Sequence, residues 1–181
     1  MALKSTHTKY GTVAVSIHWL SALAIIAMLG SGFRATSLSD SAAKASTLTM
    51  HVTLGSLVLI LTLARLAWWF WADKKPLPPI GDPAWQAMGA KAVHVLFYIV
   101  ILGMAASGIG MIALSGAADI LFGGAAHPLP NFWDFLPRVP HGLGARLMIA
   151  LFVLHVGAAL FHHFVKKDGL IRRMWFGGDS T

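Results

Sequence analysis

The sequence predicts an all-α membrane protein, a single four-helix transmembrane bundle. Apolar residues make up 56% of the 181 residues and charged residues only 12%, with a mean hydropathy of +0.68. A soluble domain of this length needs more charge on its surface. Four windows are long and apolar enough to cross a bilayer, which takes about 20 residues each. They cover residues 13–33, 50–71, 92–114 and 142–165.

The first window is too long, and too closely followed by others, to be a cleaved signal peptide. We therefore expect residues 1–181 to form one mature membrane domain, without a soluble domain, internal repeat or low-complexity segment. The loop after the first span is predicted to be short. The second loop is predicted to be extended, with a short interfacial helix around Trp85. The third loop, residues 115–140, is the longest on its side and long enough to cover the mouth of the bundle.

The 14 Lys and Arg residues are divided unequally between the two sides of the predicted bundle. Ten lie on the side of the chain termini, so the positive-inside rule puts both termini in the cytoplasm of a bacterial inner membrane protein. The other side holds only Arg34, Lys44, Arg138 and Arg146. The formal charge of +7 thus reflects orientation in the lipid bilayer and predicts no nucleic-acid partner.

Histidines recur at matched depths in the predicted spans. His141 and His155 are fourteen residues apart, so on a helix they are separated by about 21 Å and lie within about 40° of one stripe. His51 begins the second span on the side of His141, and His18 lies in the first span near the level of His155. The depths therefore pair His18 with His155, and His51 with His141.

Two facing imidazoles at each of two depths are the arrangement that bis-histidine haem ligation requires. The chain has no cysteine, which excludes iron–sulfur clusters, c-type haem attachment and disulfide bonds. Two alternatives stay open. A single histidine near a helix end is usually an interfacial polar residue, and membrane histidines also serve zinc or copper transport without haem. Such transport more naturally brings carboxylates or cysteines into the spans, and these spans have none.

Three segments carry a family resemblance that covers nearly the whole chain. They are YGTVAVSIHWLSA in the first span, MHVTLG at the start of the second, and LHVGAALFHHF near the end of the fourth. These motifs resemble the bacterial cytochrome b561 family, which is similar in its four-helix core to the cytochrome b subunits of formate dehydrogenases and hydrogenases. The resemblance implies one haem b on His18 and His155, on the cytoplasmic side, and another on His51 and His141, on the periplasmic side.

Other ionisable residues are expected near these two haems. His94 and His162 are predicted to line a quinone pocket on the cytoplasmic side, although either could instead replace a haem ligand, and His162 could simply be interfacial. Arg65 is fourteen residues after His51 and could bind a haem propionate or extend to the interface. Arg34 and Arg146 are candidates for the propionates of the periplasmic haem.

These expectations describe a di-haem b protein that transfers electrons across the membrane between a periplasmic donor and the ubiquinone pool. Some members of the family that the chain resembles are superoxide oxidases, and basic residues near the periplasmic haem would attract that anion. One alternative is a cytochrome b membrane subunit, or redox partner, of another oxidoreductase, with the donor protein docking on the 115–140 loop. A less favoured alternative is the haem-free metal transporter.

Overall fold

The computed structural model describes residues 2–77, 83–125 and 127–176, and every regular element in these ranges is helical. Four helices are long and apolar enough to cross a membrane. They span Thr12–Ser37, Ser41–Ala72, Ala84–Ser115 and Arg138–Lys166. The predicted all-α membrane class and the number of spans are confirmed.

The helices are numbered in chain order. They are α1 (Thr12–Ser37), α2 (Ser41–Ala67), α3 (Ala84–Ser115), the short α4 (Ala117–Leu121) and α5 (Arg138–Phe161). Two spans end in a π-helical turn, Trp68–Ala72 after α2 and His162–Lys166 after α5. Single 3₁₀ turns occur at Phe132–Asp134 and Leu170–Met174.

The loop between the first two spans is short, as predicted, and is confined to residues 38–40 because both helices extend beyond their apolar windows. Helix α2 begins at Ser41, well before the predicted start at residue 50. Asp40 caps this end, since its carboxylate accepts a hydrogen bond from the Ala43 amide at 2.7 Å. The Thr47 hydroxyl donates to the Ala43 carbonyl at 2.8 Å within the helix. The apolar window marks only the part of a helix inside hydrocarbon, so this polar first part was missed.

The ends of the other spans also differ from the prediction. Helix α3 already begins at Ala84, so Trp85 lies in its first turn, and the separate interfacial helix predicted there is wrong. Residues 78–82 of the preceding loop lie outside the described residues. Helix α5 begins at Arg138 and includes His141 in its first turns. Pro140 is compatible with this position, because the first amides of a helix have no intrahelical acceptor.

The contacts of the chain divide it into two units. The first unit comprises the described residues within Met1–Ser21, Leu61–Tyr98 and Ile149–Thr181. The second unit comprises Ala22–Ile60 and those described within Ile99–Met148. Each of the four spans contributes residues to both units.

In the second unit, helix α4 interrupts the predicted 115–140 loop. Its residues Ala117 and Leu121 are buried, and the Leu121 carbonyl accepts a hydrogen bond from the Thr49 hydroxyl at 3.1 Å. The loop is therefore attached to α2 through this short helix. Large apolar side chains such as Ile60 and Ile109 are more than half exposed on the spans, as expected for surfaces that face lipid.

In the first unit, the two terminal segments contact each other. The Tyr10 amide donates to the Arg173 carbonyl at 3.2 Å, and the Arg173 guanidinium donates to the Thr8 carbonyl at 2.6 Å. The Trp19 indole donates to the Met174 carbonyl at 2.8 Å. The segments that precede α1 and follow α5 therefore lie on the same side of the membrane.

Candidate functional site

His51 of α2 and His141 of α5 face each other in the second unit. Their ring centres are 6.2 Å apart and the ring planes are inclined by 67°. A metal ion midway between two imidazoles, at a metal–nitrogen distance of about 2 Å, holds the two ring centres roughly 6 Å apart. The spacing of this pair is thus suitable for two axial ligands of a single metal.

Hydrogen bonds to oxygen atoms of α1 determine where the proton of His51 lies. Its Nδ1 is 3.0 Å from the Met28 carbonyl oxygen and 3.0 Å from the Ser31 hydroxyl oxygen. The carbonyl can only accept, and the Ser31 hydroxyl already donates to that carbonyl at 2.8 Å. Nδ1 must therefore be the donor in both contacts. In the neutral ring this leaves Nε2 with its lone pair available for a metal.

Helix α3 holds His141 in the same way. The Nδ1 of His141 is 3.1 Å from the Met104 carbonyl oxygen and 3.0 Å from the Ser107 hydroxyl oxygen. The Ser107 hydroxyl donates to the Met104 carbonyl at 2.9 Å. The two facing histidines therefore have the same tautomer and the same two kinds of acceptor.

A glycine follows each of these serines and allows the close approach of the histidine ring. A Cβ on Gly32 would lie 3.2 Å from Cε1 of His51, and one on Gly108 would lie 3.4 Å from Cε1 of His141. The sequence Met-x-x-Ser-Gly thus occurs twice, as MLGSG at 28–32 and MAASG at 104–108. We call each occurrence, with the histidine it holds, a histidine cradle. The sequence alone predicts no internal repeat, and this short motif is recognisable as one only because both copies contact a histidine.

His18 of α1 and His155 of α5 form the corresponding pair in the first unit. Their ring centres are 6.1 Å apart with an interplanar angle of 65°, nearly the values of the second-unit pair. The ring of His94 is also close to His155, at 5.4 Å, and Phe97 packs edge-on against His155 at 5.6 Å. The spacing favours His18 over His94 as the opposite ligand, because the shorter distance leaves less room for a metal between the rings.

The repeat extends to this second group of residues. His18 precedes Ser31 by 13 residues, and His94 precedes Ser107 by the same interval. Arg65 follows His51 by 14 residues, as His155 follows His141. His94 is therefore the repeat counterpart of His18, and His155 that of Arg65. The contact of His94 with His155 corresponds to the contact of His18 with Arg65.

Arg65 lies against His18 with part of its guanidinium unpaired. Its Nη1 is 3.4 Å from Nδ1 of His18, while its buried Nε has no hydrogen-bond partner among the described residues. All seven acidic residues of the chain lie outside the four spans. A buried cation of this kind requires a negative group, and a carboxylate of a bound molecule would satisfy both the charge and the free N–H.

His162, predicted to lie with His94, has a different environment. Its Nδ1 is hydrogen-bonded to the Asp168 carboxylate, and the side chains remain partly exposed at 14% and 22%. Burial raises the pKa of Asp168, but the hydrogen bonds from His162 and the Leu170 amide, together with the charges of His162 and Lys166, outweigh this, so the pKa lies below its ordinary value. His163 stacks edge-on against Phe164, with 4.7 Å between the ring centres.

The arginines predicted to bind propionates of the other haem are more exposed than Arg65. Arg34 is exposed near the end of α1. Arg146 is exposed and donates to the Gly142 carbonyl at 3.4 Å. Arg138 lies over the Trp133 ring at 4.3 Å. A Cβ on Gly142 would be 3.0 Å from Nη1 of Arg138 and 3.9 Å from Nη1 of Arg146, so two guanidinium groups converge beside Gly142, the residue after His141.

The two histidine pairs suit a metal that brings most of its own ligands. Within residues 2–77, 83–125 and 127–176, no group of three or more His, Cys, Asp or Glu side chains is placed to hold a metal ion. Haem fits the two-ligand geometry, because the porphyrin supplies four nitrogens and leaves two axial positions. The free guanidinium of Arg65 also suits the propionate carboxylates of such a group.

Comparisons with known proteins identify the family of the chain. Residues 9–177 match the family model "Prokaryotic cytochrome b561". The chain is 34% identical to cytochrome b561 homolog 1 of Escherichia coli K12, over 68% of this chain and 72% of that protein. It is 26% identical to cytochrome b561 homolog 2 of the same organism, over 96% and 95%. It is 27% identical to a Yersinia pestis protein named "Probable superoxide oxidase CybB", over 93% and 96%.

The family match covers most of the chain, and the four spans fit the four-helix membrane bundle of that family. Haem b and electron transfer within a bacterial membrane follow from the same match. This protein is a member of the prokaryotic cytochrome b561 family.

Proposed function

We propose that the protein binds two b haems and oxidises superoxide on the periplasmic side of the membrane, delivering the electrons to ubiquinone on the cytoplasmic side. The observation that supports this most directly is the near-identity of the two histidine pairs. Their ring centres are 6.1 and 6.2 Å apart. In this proposal His18 and His155 ligate the haem of the first unit, and His51 and His141 the haem of the second.

Haem b supplies a one-electron carrier, which makes it suitable for joining a one-electron donor to a two-electron acceptor. The residues of the chain hold and orient it. Each of the four histidines would present one ring nitrogen to the iron, and Arg65 would bind a propionate carboxylate through its buried Nε, which has no hydrogen-bond partner among the described residues. We assign no propionate to Arg34, because its exposed side chain at the end of α1 can extend to the interface.

Arg138 and Arg146 are proposed to attract the anionic donor to the second unit. Their guanidinium groups converge beside Gly142, the residue after His141. Opposite charge near a reaction site raises the local concentration of a charged substrate and its association rate. Each superoxide anion loses one electron and leaves as dioxygen. Two such electrons, with two protons, convert one ubiquinone to ubiquinol.

His94 is proposed to bind the quinone in the first unit. Its ring lies 5.4 Å from that of His155, so a quinone bound by His94 would be close to the haem on His155. A ring N–H can donate to a quinone oxygen and then transfer a proton to it. His162 with Asp168 is proposed to pass protons from water to this site, rather than to contact the quinone itself.

The proposal requires a defined orientation. The described parts of the segments before α1 and after α5 belong to the first unit, and ten of the 14 Lys and Arg residues lie on the side of the chain termini. The positive-inside rule therefore favours a cytoplasmic first unit and a periplasmic second unit in the inner membrane.

The test is superoxide-driven reduction of a short-chain ubiquinone by the purified, haem-loaded protein. We expect quinol to form at a rate that falls with ionic strength, because the donor is an anion attracted by cations. Arg146→Gln should slow the reaction, whereas Lys44→Gln, which removes another cation from the same side, should not. Haem that superoxide cannot reduce would overturn the proposal and favour a cytochrome b subunit with a protein donor. A protein without haem absorption would favour metal transport.

A further inference from the structure

The two histidine cradles contain serines that no part of the proposed electron path uses. Ser31 and Ser107 are only 3% and 8% exposed, and each hydroxyl contacts the Nδ1 of a facing histidine at 3.0 Å. A buried hydroxyl on an otherwise apolar helix is costly unless its hydrogen bonds are made. These serines make two each, one to a carbonyl of their own helix and one to the histidine.

The direction of these bonds has a chemical consequence. Because the hydroxyl proton of Ser31 goes to the Met28 carbonyl, the hydroxyl oxygen can only accept from His51. The same holds for Ser107, Met104 and His141. Each histidine N–H is therefore shared between two acceptors. Acceptors at the outer nitrogen of a ligating histidine fix its tautomer and orientation and make the ring a stronger electron donor to the metal.

We propose that Ser31 and Ser107 are positioning residues that strengthen the hold of His51 and His141 on ferric haem and so lower the reduction potential of the haem in the second unit. This inference rests on the proposed function in one respect, namely that a haem lies between these two histidines. A more basic ligand stabilises the higher oxidation state, because that state has more positive charge to neutralise. The serines act through the histidines and do not touch the iron.

Among the described residues of the first unit, no serine hydroxyl or carbonyl oxygen is hydrogen-bonded to Nδ1 of His18. There the group nearest to Nδ1 is the positively charged Arg65 guanidinium, at 3.4 Å. A positive charge beside the ring makes it a weaker electron donor to a metal, which is the opposite of the effect of the serine hydroxyls. The contrast makes the proposal specific, since removal of a serine should alter the haem of the second unit and leave that of the first unchanged.

The experiment is an equilibrium redox titration of the full-length, haem-loaded protein, followed by visible absorption. Ser31→Ala and Ser107→Ala should each weaken the affinity for ferric haem, relative to that for ferrous haem, about tenfold. This is within the range seen when hydrogen bonds to the outer nitrogen of a ligand are removed. A tenfold change corresponds to an upward shift of about 59 mV for a one-electron couple. Ser31→Thr keeps the hydroxyl and should restore the wild-type potential.

Ser56→Ala is the matched control. The Ser56 hydroxyl also donates to a carbonyl of its own helix, that of Val52 at 3.0 Å, and it lies in the same unit but is exposed. Its removal should shift neither potential. Should an alanine variant lose both haems, Ser31→Cys preserves the side-chain volume with a weaker acceptor and should give the same upward shift.

Two results would overturn the inference. One is that the reduction potential of the second-unit haem is the same in Ser31→Ala and Ser107→Ala as in Ser56→Ala. The other is that the potentials of both haems shift equally. The titration uses neither superoxide nor quinone, so the inference can be supported even if those substrates are wrong. Wild-type protein without haem between His51 and His141 would instead refute the proposed function itself.

Discussion

At the scale of single residues, the two histidine pairs differ in the group that lies beside Nδ1 of the ring. His51 and His141 donate from Nδ1 to oxygen atoms of neighbouring helices, whereas the Nδ1 of His18 faces a guanidinium group. The spacing of histidines along the chain was sufficient to predict which rings face each other. It could not predict Ser31 or Ser107, because each is at least 20 residues from its histidine and the contact depends on how neighbouring helices are rotated.

His162 shows a second limit of the sequence at this scale. Its position seven residues after His155 predicted a place near the other histidines. The structure instead pairs it with Asp168. The chain reverses at Lys167, which has a positive φ of 53°, and this turn brings the carboxylate back to the helix. A lysine whose backbone lies in the left-handed region cannot be recognised from the sequence, whereas a glycine at such a position often can.

Replacing a second-unit histidine should remove one haem and leave the other. We expect His51→Ala or His141→Ala to lower the haem content from two to one per chain, because each haem depends on its own pair of histidine ligands. Haem content would be measured by the pyridine haemochrome method against protein concentration. His7→Ala, which alters a histidine outside the spans, should retain both haems. Two haems in either ligand variant would contradict the assigned pairs.

Replacing His94 should separate quinone chemistry from haem binding. In His94→Ala we expect both haems to remain and the rate of quinone reduction to fall by about 100-fold, the loss typical of a missing proton donor. The rate at which superoxide reduces the haems should stay unchanged. If a haem is lost instead, His94 rather than His18 is the partner of His155.

At the scale of secondary-structure elements, the apolar windows located the spans but not their ends. Helix α2 begins at Ser41 because Asp40 caps it, and such a polar start is invisible to hydropathy. The π-helical turns Trp68–Ala72 and His162–Lys166 likewise have no known sequence signal. The repeated Met-x-x-Ser-Gly motif is short enough to be missed, and it becomes meaningful only when both copies are seen to contact a histidine.

Asp73, just after the second span, connects the end of that span to the N-terminal segment. Its carboxylate accepts from the Ser5 amide at 3.0 Å, the Ser5 hydroxyl at 2.7 Å and the Trp68 indole at 3.1 Å. Burial acts to raise the pKa of Asp73, but these hydrogen bonds, those of Ser5 first, lower it below its ordinary value of 3.8. The interaction is therefore fully present above pH 3.8 and is lost as the pH falls through the lower pKa of the folded state.

Hydrogen exchange at the Ser5 amide would measure this contact. Relative to intrinsic exchange rates, we expect protection at pH 5 to 7 and its loss only as the pH falls below 3.8. Asp73→Ala should abolish the protection at every pH, whereas Asp134→Ala, which removes another aspartate outside the spans, should preserve it. Protection that is lost above pH 4, or that survives in Asp73→Ala, would show that the carboxylate does not hold the segment.

At the scale of the whole molecule, composition and the four apolar windows predicted an all-α membrane protein with four spans, because crossing a bilayer demands long apolar helices. The family match then supplies membrane electron transfer and haem b. The sequence could not identify the electron donor, since an arginine that attracts superoxide and an arginine that binds a propionate look the same in a sequence. The convergence of Arg138 and Arg146 beside Gly142 is a feature of folded geometry.

The proposed direction of electron flow also belongs to the whole molecule. The proposed lowering of the potential by the cradles of the second unit, together with the cation beside His18 in the first, would favour transfer from the second unit to the first. With the orientation inferred from the basic residues, electrons would pass from the periplasmic side towards the cytoplasmic side. This is the direction that a periplasmic one-electron donor and a quinone acceptor near His94 require.

The most direct test of the account is the haem content of the detergent-purified wild-type protein, combined with its reduced-minus-oxidised spectrum. The account predicts two b haems per chain, both low-spin, because each of the two histidine pairs supplies both axial ligands to one iron. A single haem per chain, or a high-spin spectrum that indicates an open axial position, would contradict the assignment of both pairs as ligand sites.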